Sequence, residues 1–287
     1  MPGNTVRDAL EAAVDAFEAA GCDTARLDAE VLLAAATGWD RARLTAEPDA
    51  RLPVGASREF GEMVRRRGRR EPVAYILGRK GFRRLEVLVD HRVLIPRPET
   101  ELLVEQALQL AEDGDPGLRV LDVGTGSGAI ALAIADELDD ARVSAIDTSF
   151  DAVRVAQANS ERLGLTDRVE VVLRGPSSLK GAGPDGRPFD LLVANLPYVS
   201  EEDWEDLAPE IREYEPREAL VAGPIGLEAI EALTEELLGL APRPPVVALE
   251  IGADQADEVS RLVKAADYPE VEVHSDLAGH DRVVVGR

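Results

Sequence analysis

The chain has 287 residues, 45% hydrophobic but only 4% aromatic, which fits two domains or one enlarged α/β domain with a core of Ala, Val, Leu and Ile. Its formal net charge of -23 argues against a nonspecific, phosphate-driven grip on nucleic acid, which needs clustered Lys and Arg. The lone Cys22 excludes an intrachain disulfide, the scattered His91, His274 and His280 carry no metal-ligand spacing, and no apolar run approaches the ~18 residues of a membrane span, so a cytoplasmic, metal-free protein is expected.

From Thr5 to about Leu77 the pattern is helical. Val6, Leu10, Ala13, Val14 and Phe17 recur at three- and four-residue spacings, Leu27, Val31, Leu32 and Ala35 repeat the theme, and Gly21 and Gly38 mark helix stops. This start places Asp8, Glu11, Asp15 and Glu18 among alanines, unlike a signal peptide. A further helix is expected over Ser57 to Arg69. Within it begins a basic island, where Arg58, Arg65, Arg66, Arg67, Arg69, Arg70, Arg79, Lys80, Arg83 and Arg84 outnumber Glu59, Glu62 and Glu71. The island is read either as a solvated helix face or as a docking surface for a partner.

Gly81 to Ile95 is rich in Val and Leu and is expected to form a β-hairpin turning at Asp90-His91. Pro96-Arg97-Pro98 then breaks the chain before a helix at Glu99 to Glu112. After Pro116 apolar strands alternate with amphipathic helices, and the last two strand patterns, VEVHSD and DRVVVGR, have no helix between them. That rhythm implies an α/β domain with a parallel sheet ending in an antiparallel hairpin. The expected organisation is a helical bundle over 1–78, a hairpin linker over 79–98 and an α/β domain over 99–287.

Two loops at strand ends carry the chemistry. Gly124-Thr125-Gly126-Ser127-Gly128 lies between a predicted strand and a predicted helix, where glycines let the backbone approach a ligand at the helix N-terminus. Asp147 ends the next strand, placed to accept both hydroxyls of a ribose. Gly124, Gly126 and Ala129 also satisfy the dinucleotide fingerprint, so a nicotinamide enzyme is a competing reading. Asp122 separates the two. It would repel a pyrophosphate, whereas an acid at this position in S-adenosylmethionine enzymes serves the cationic end of the cofactor. The second loop, Asn195-Leu196-Pro197-Tyr198, also ends a predicted strand and should face the same crevice. The Asn195 side-chain oxygen and the Leu196 carbonyl could accept the two N–H bonds of a planar amide, with Tyr198 packed against it.

The sequence resembles the HemK/PrmC family, the release factor glutamine N5-methyltransferases, over nearly its whole length. The resemblance rests on Glu71-Pro72-Val73-Ala74-Tyr75-Ile76-Leu77-Gly78, Leu94-Ile95-Pro96-Arg97-Pro98-Glu99-Thr100-Glu101, the glycine loop, Asn195 to Tyr198, Tyr214-Glu215-Pro216-Arg217-Glu218-Ala219-Leu220, and Asp276-Leu277-Ala278-Gly279-His280-Asp281-Arg282-Val283. It implies a Rossmann-like methyltransferase domain behind a helical docking domain and S-adenosyl-L-methionine as cofactor. Gly124 to Gly128, Asp147 and Asn195 would bind that cofactor. The substrate implied is the Gly-Gly-Gln glutamine of class-1 peptide chain release factors, held by Asn195, Leu196, Pro197 and Tyr198. The sequence departs from the family pattern at Leu196, where a proline is usual, at Arg174-Gly175-Pro176, where an acid and an apolar residue often contact adenine, and at Ile225, where Asp is common. Competing readings are a methyltransferase for a ribosomal-protein glutamine or a nucleic-acid amino group, and a noncatalytic binding module.

Overall fold

The computed structural model describes residues 5–113, 117–175 and 178–287. Pro176 lies outside them. The chain divides into two compact units, one running to Gly78 and taking in Ala208–Tyr214, the other comprising Arg79–Leu207 and Glu215–Arg287.

The first unit is helical. Helix α1 (Val6–Ala19) begins at Thr5, whose hydroxyl accepts from the Asp8 N–H, and buries Val6, Leu10, Ala13 and Phe17 on one stripe. Helix α2 (Ala25–Thr37) ends on Gly38 in the left-handed conformation. Helices α3 (Arg41–Ala46), α4 (Ala56–Arg67) and α5 (Val73–Leu77) complete the run, and Leu32, Leu33, Leu44 and Phe60 join the α1 stripe in one core. Cys22 is a buried free thiol in that core. Arg67, buried, pairs with Asp28 at 2.7 Å and with Glu210 of α9 (Pro209–Tyr214) at 2.9 Å, and Arg70 also pairs with Glu210. Much of the basic island is therefore engaged within the chain: Arg66 pairs with Glu71, Arg79 with Glu86 and Arg83 with Glu137.

The second unit opens with a hairpin, β1 (Arg79–Phe82) and β2 (Leu85–Leu88). Its turn is Arg83-Arg84, not the expected Asp90-His91. Arg83 adopts φ 50°, and its N–H donates to Glu101, so tertiary ion pairing fixes a turn that residue preference does not announce. Asp90 instead receives the N–H and guanidinium of Arg92 in a separate turn. A 3-10 turn at Pro98–Thr100 leads into α6 (Glu101–Asp113).

The main sheet contains β3 (Arg119–Val123), β4 (Arg142–Asp147), β5 (Val169–Leu173), β6 (Leu191–Ala194), β9 (Val246–Glu250), β10 (Val271–Ser275) and β11 (Asp281–Gly286), in the order β10-β11-β9-β6-β3-β4-β5. Pairing is parallel from β5 through β9, and β11 runs antiparallel to both β9 and β10, as the closing helix-free patterns led us to expect. Helices α7 (Ala129–Glu137), α8 (Phe150–Leu163), α10 (Glu228–Gly239) and α11 (Ala256–Ala265) connect the strands. Strand β6 is buried along its length and α7 from Ala129 to Ala135, as elements covered on both sides must be. A short parallel pair, β7 (Val199–Ser200) and β8 (Val221–Gly223), follows β6; it is too brief to leave a sequence pattern.

Candidate active site

The chain reverses its direction of progress across the sheet between β3 and β6: β4 lies on one side of β3 and β6 on the other. At such a switch point the loops leaving the strand ends diverge and leave a crevice. A cavity of about 270 Å³ opens there, lined by Gly124 and Gly126 after β3, by Asp147, Thr148 and Ser149 after β4, and by Asn195, Leu196 and Pro197 after β6. The two motifs singled out in the sequence thus meet in one pocket. So do parts of two other segments, Arg92 to Leu94 and Pro216, Glu218 and Ala219.

The glycine turn is held from behind. The N–H groups of Gly124 and Thr125 both donate to the Ile146 carbonyl of β4, at 2.9 and 3.0 Å. Gly124 has φ 76°, and a Cβ there would come within 3.0 Å of Leu196 Cδ2, so both the backbone and the space require glycine. Thr125 and Ser127 are buried in the turn and do not line the cavity; Gly128, which does not line it either, caps α7 in the left-handed conformation. Asp147 accepts from the N–H of Gly126 at 2.9 Å through Oδ2 and from the N–H of Ser149 at 2.8 Å through Oδ1. Each oxygen keeps a second lone pair for a ligand. Burial raises its pKa.

Asp122 sits below the turn, fully buried. Its Oδ2 accepts from the Thr125 hydroxyl at 2.6 Å, while Oδ1 has no hydrogen-bond partner among the described residues. Burial pushes this carboxyl up to about 7. The glycine turn and the Asp147 carboxylate on the adjacent strand both face the cavity and fit a ligand that carries a ribose.

Asn195 is partly buried at the pocket edge, its Nδ2 donating to the Thr100 hydroxyl at 3.1 Å. Leu196, where the family pattern has proline, points into the core, packed with Val123, Leu227 and Ile230 among others. Tyr198 is not part of the cavity lining. Its carbonyl accepts from Gln255, and burial raises its phenol to about 12. Ile225 is exposed, and its N–H donates to Glu228. Arg174, from the departure at Arg174-Gly175-Pro176, lines the cavity with Arg92. Sequence reasoning missed Arg92, Thr148 and Glu250. Only Glu250 left a trace, as the single acid closing the apolar run Val246-Val247-Ala248-Leu249.

Residues 8–78 match the family model described as the PrmC N-terminal domain, and residues 120–214 match one described as a methyltransferase domain. The chain is 39% identical over 282 residues to the release factor glutamine methyltransferase of Caulobacter vibrioides, covering 98% of this chain and 96% of the relative. It is 39% identical over 285 residues to that of Rhodopirellula baltica, covering 98% and 95%. Among solved structures, the catalytic domain of hMettl16 in complex with the MAT2A 3'UTR hairpin 6 superposes with a TM-score of 0.56 at 15% identity, covering 70% of this chain and 74% of that one. That likeness concerns the fold.

Proposed function

The chain belongs to the release factor glutamine methyltransferase family, and from that premise we propose that its pocket transfers a methyl group from S-adenosyl-L-methionine to the side-chain amide N5 of the Gly-Gly-Gln glutamine in class-1 release factors. The observation that carries the reading is the convergence of Gly124, Gly126, Asp147 and Asn195 on one cavity at the switch point of the sheet. The cofactor supplies an electrophilic methyl on a sulfonium.

Within this reading the turn Gly124 to Gly128 receives the cofactor, Asp147 accepts its ribose hydroxyls, and Asp122, buried and outside the cavity lining, braces the turn through the Thr125 hydroxyl. An amide nitrogen is a poor nucleophile because its lone pair is delocalised. The protein's task is to hold it in line, which in favourable cases lowers a barrier by roughly 7 to 11 kcal/mol. Asn195 Oδ1 and the Leu196 carbonyl accept the two amide N–H bonds, Pro197 biases Leu196 toward extended backbone, and Tyr198, outside the cavity lining, anchors the end of the loop through its carbonyl to Gln255. With the cofactor bound, its methyl would pass to this nitrogen, the S–C bond breaking as the N–C bond forms, and one amide proton would leave to solvent. The helical unit over 1–78 serves docking. A cytoplasmic location agrees with the lone buried Cys22 and with described helices too short and polar to cross a membrane.

The test is incubation with labelled cofactor and, in parallel, a class-1 release factor, the same factor with its Gly-Gly-Gln glutamine replaced, ribosomal proteins, and DNA. Label on the intact factor alone is expected. Label on DNA or on a ribosomal protein instead would overturn the substrate assignment, and cofactor binding without transfer would mark a binding module.

A further inference from the structure

Glu250 ends β9 and is 2% exposed, yet nothing in the reading above uses it. A carboxyl is costly in such a place unless something requires it. The parallel register pairs Ala194 with Leu249, so Asn195 and Glu250 leave their strands as neighbours. Thr100, buried and close by, accepts from Asn195 Nδ2 through its hydroxyl oxygen at 3.1 Å. The Thr100 hydroxyl and the Asn195 amide lie near enough to the Glu250 carboxyl to offset part of the rise that burial gives its pKa, and its Oε2 has no hydrogen-bond partner among the described residues.

These contacts decide which way the Asn195 carboxamide faces. A hydroxyl can accept from one group while donating its own proton to another, so Thr100 links Asn195 to Glu250. Once Glu250 is ionised, above about pH 7, an amide turned by half a rotation would set its carbonyl oxygen against a carboxylate and against a hydroxyl whose proton is directed elsewhere. The donor end therefore stays toward Thr100 and Glu250, and Oδ1 is left for the cavity that Asn195 lines.

We propose that Glu250, acting through Thr100, is a positioning residue that locks the Asn195 carboxamide with Oδ1 presented to the substrate amide. The inference rests on the assignment of Asn195 to the substrate, and the wild-type control separates the two.

Wild-type and variant proteins are assayed with a class-1 release factor at saturating labelled S-adenosylmethionine, with cofactor affinity by calorimetry and thermal melting alongside. Thr100→Val keeps the shape and removes the hydroxyl; it should lower kcat by about 10- to 100-fold with little change in KM or cofactor affinity, the pattern of a misplaced reacting group. Thr100→Ser should recover most of that loss. Glu250→Leu should lower kcat similarly, and if its melting curve shows that it does not fold, the Thr100 pair decides. Wild-type kcat in Thr100→Val or in a folded Glu250→Leu, failure of serine to rescue, or a loss confined to KM or cofactor affinity would overturn the positioning role alone. A wild-type protein that labels no release factor overturns the functional reading, and the inference with it.

Discussion

Asp147 spends each carboxylate oxygen on a backbone N–H, those of Gly126 and Ser149, and so ties the glycine turn to the start of α8 while facing the cavity. Replacing it removes the proposed ribose acceptor. Asp147→Ala should raise the dissociation constant for S-adenosylmethionine by about 10- to 100-fold, corresponding to a net loss of one hydrogen bond to a charged group at about 1.5 to 3 kcal/mol. Calorimetric titration measures it; an unchanged constant would remove Asp147 from the ribose role. At this scale the sequence announced the residues whose meaning is local. Gly124 and Asp147 could be found because a glycine-rich turn and an acid at a strand end have fixed places in an α/β unit. Thr100 and Glu250 could not, because their significance lies in being beside Asn195, which is 95 residues from Thr100 along the chain.

The elements are bound together by a side chain that no motif contains. Asn159 of α8 is fully buried. Its Oδ1 accepts from the Leu88 N–H at 2.7 Å, and its Nδ2 donates to the carbonyls of Leu88 and Ser127 at 3.0 and 2.9 Å. One residue thereby joins the hairpin, a helix and the glycine turn. Asn159→Leu would leave those backbone groups buried without partners, each costing about 1 to 3 kcal/mol. We expect a loss of about 2 to 5 kcal/mol in urea unfolding, with weaker cofactor binding because the turn at Ser127 loses its anchor. Wild-type stability would show that water or repacking satisfies these groups. The helix and strand order was legible because apolar periodicity reports burial directly. The hairpin turn was misplaced because Asp90-His91 has turn-like residues, whereas Arg83 takes a left-handed backbone held by Glu101 and Glu137, distant in sequence.

At the scale of the molecule, two buried carboxyls and a large negative charge act in the same direction. Burial raises Asp122 from 3.8 and Glu250 from 4.5, each to about 7. A carboxyl whose folded pKa is raised keeps its proton where the unfolded chain has lost it. Stability from these two groups therefore falls as pH climbs from about 4 to about 7 and levels off above. The net charge of -23 adds to the trend, since self-repulsion grows as carboxyls ionise. At the acid end the opposite holds for Glu137 and Asp90, whose pKa values are lowered by hydrogen bonds from Arg83 and Arg92. Their contribution is lost as pH falls through their folded pKa, below the ordinary carboxylate range. The ligand-free protein should accordingly be most stable in mildly acid solution. Between pH 6 and pH 8 it should lose about 1 kcal/mol for each of the two raised carboxyls, read as a melting temperature lower by several degrees. Asp122→Asn keeps the shape and removes the titration, so its melting temperature should differ less between the two pH values than that of the wild type. An equal or larger difference in the variant would mean that Asp122 does not change its charge between these two pH values in the folded protein.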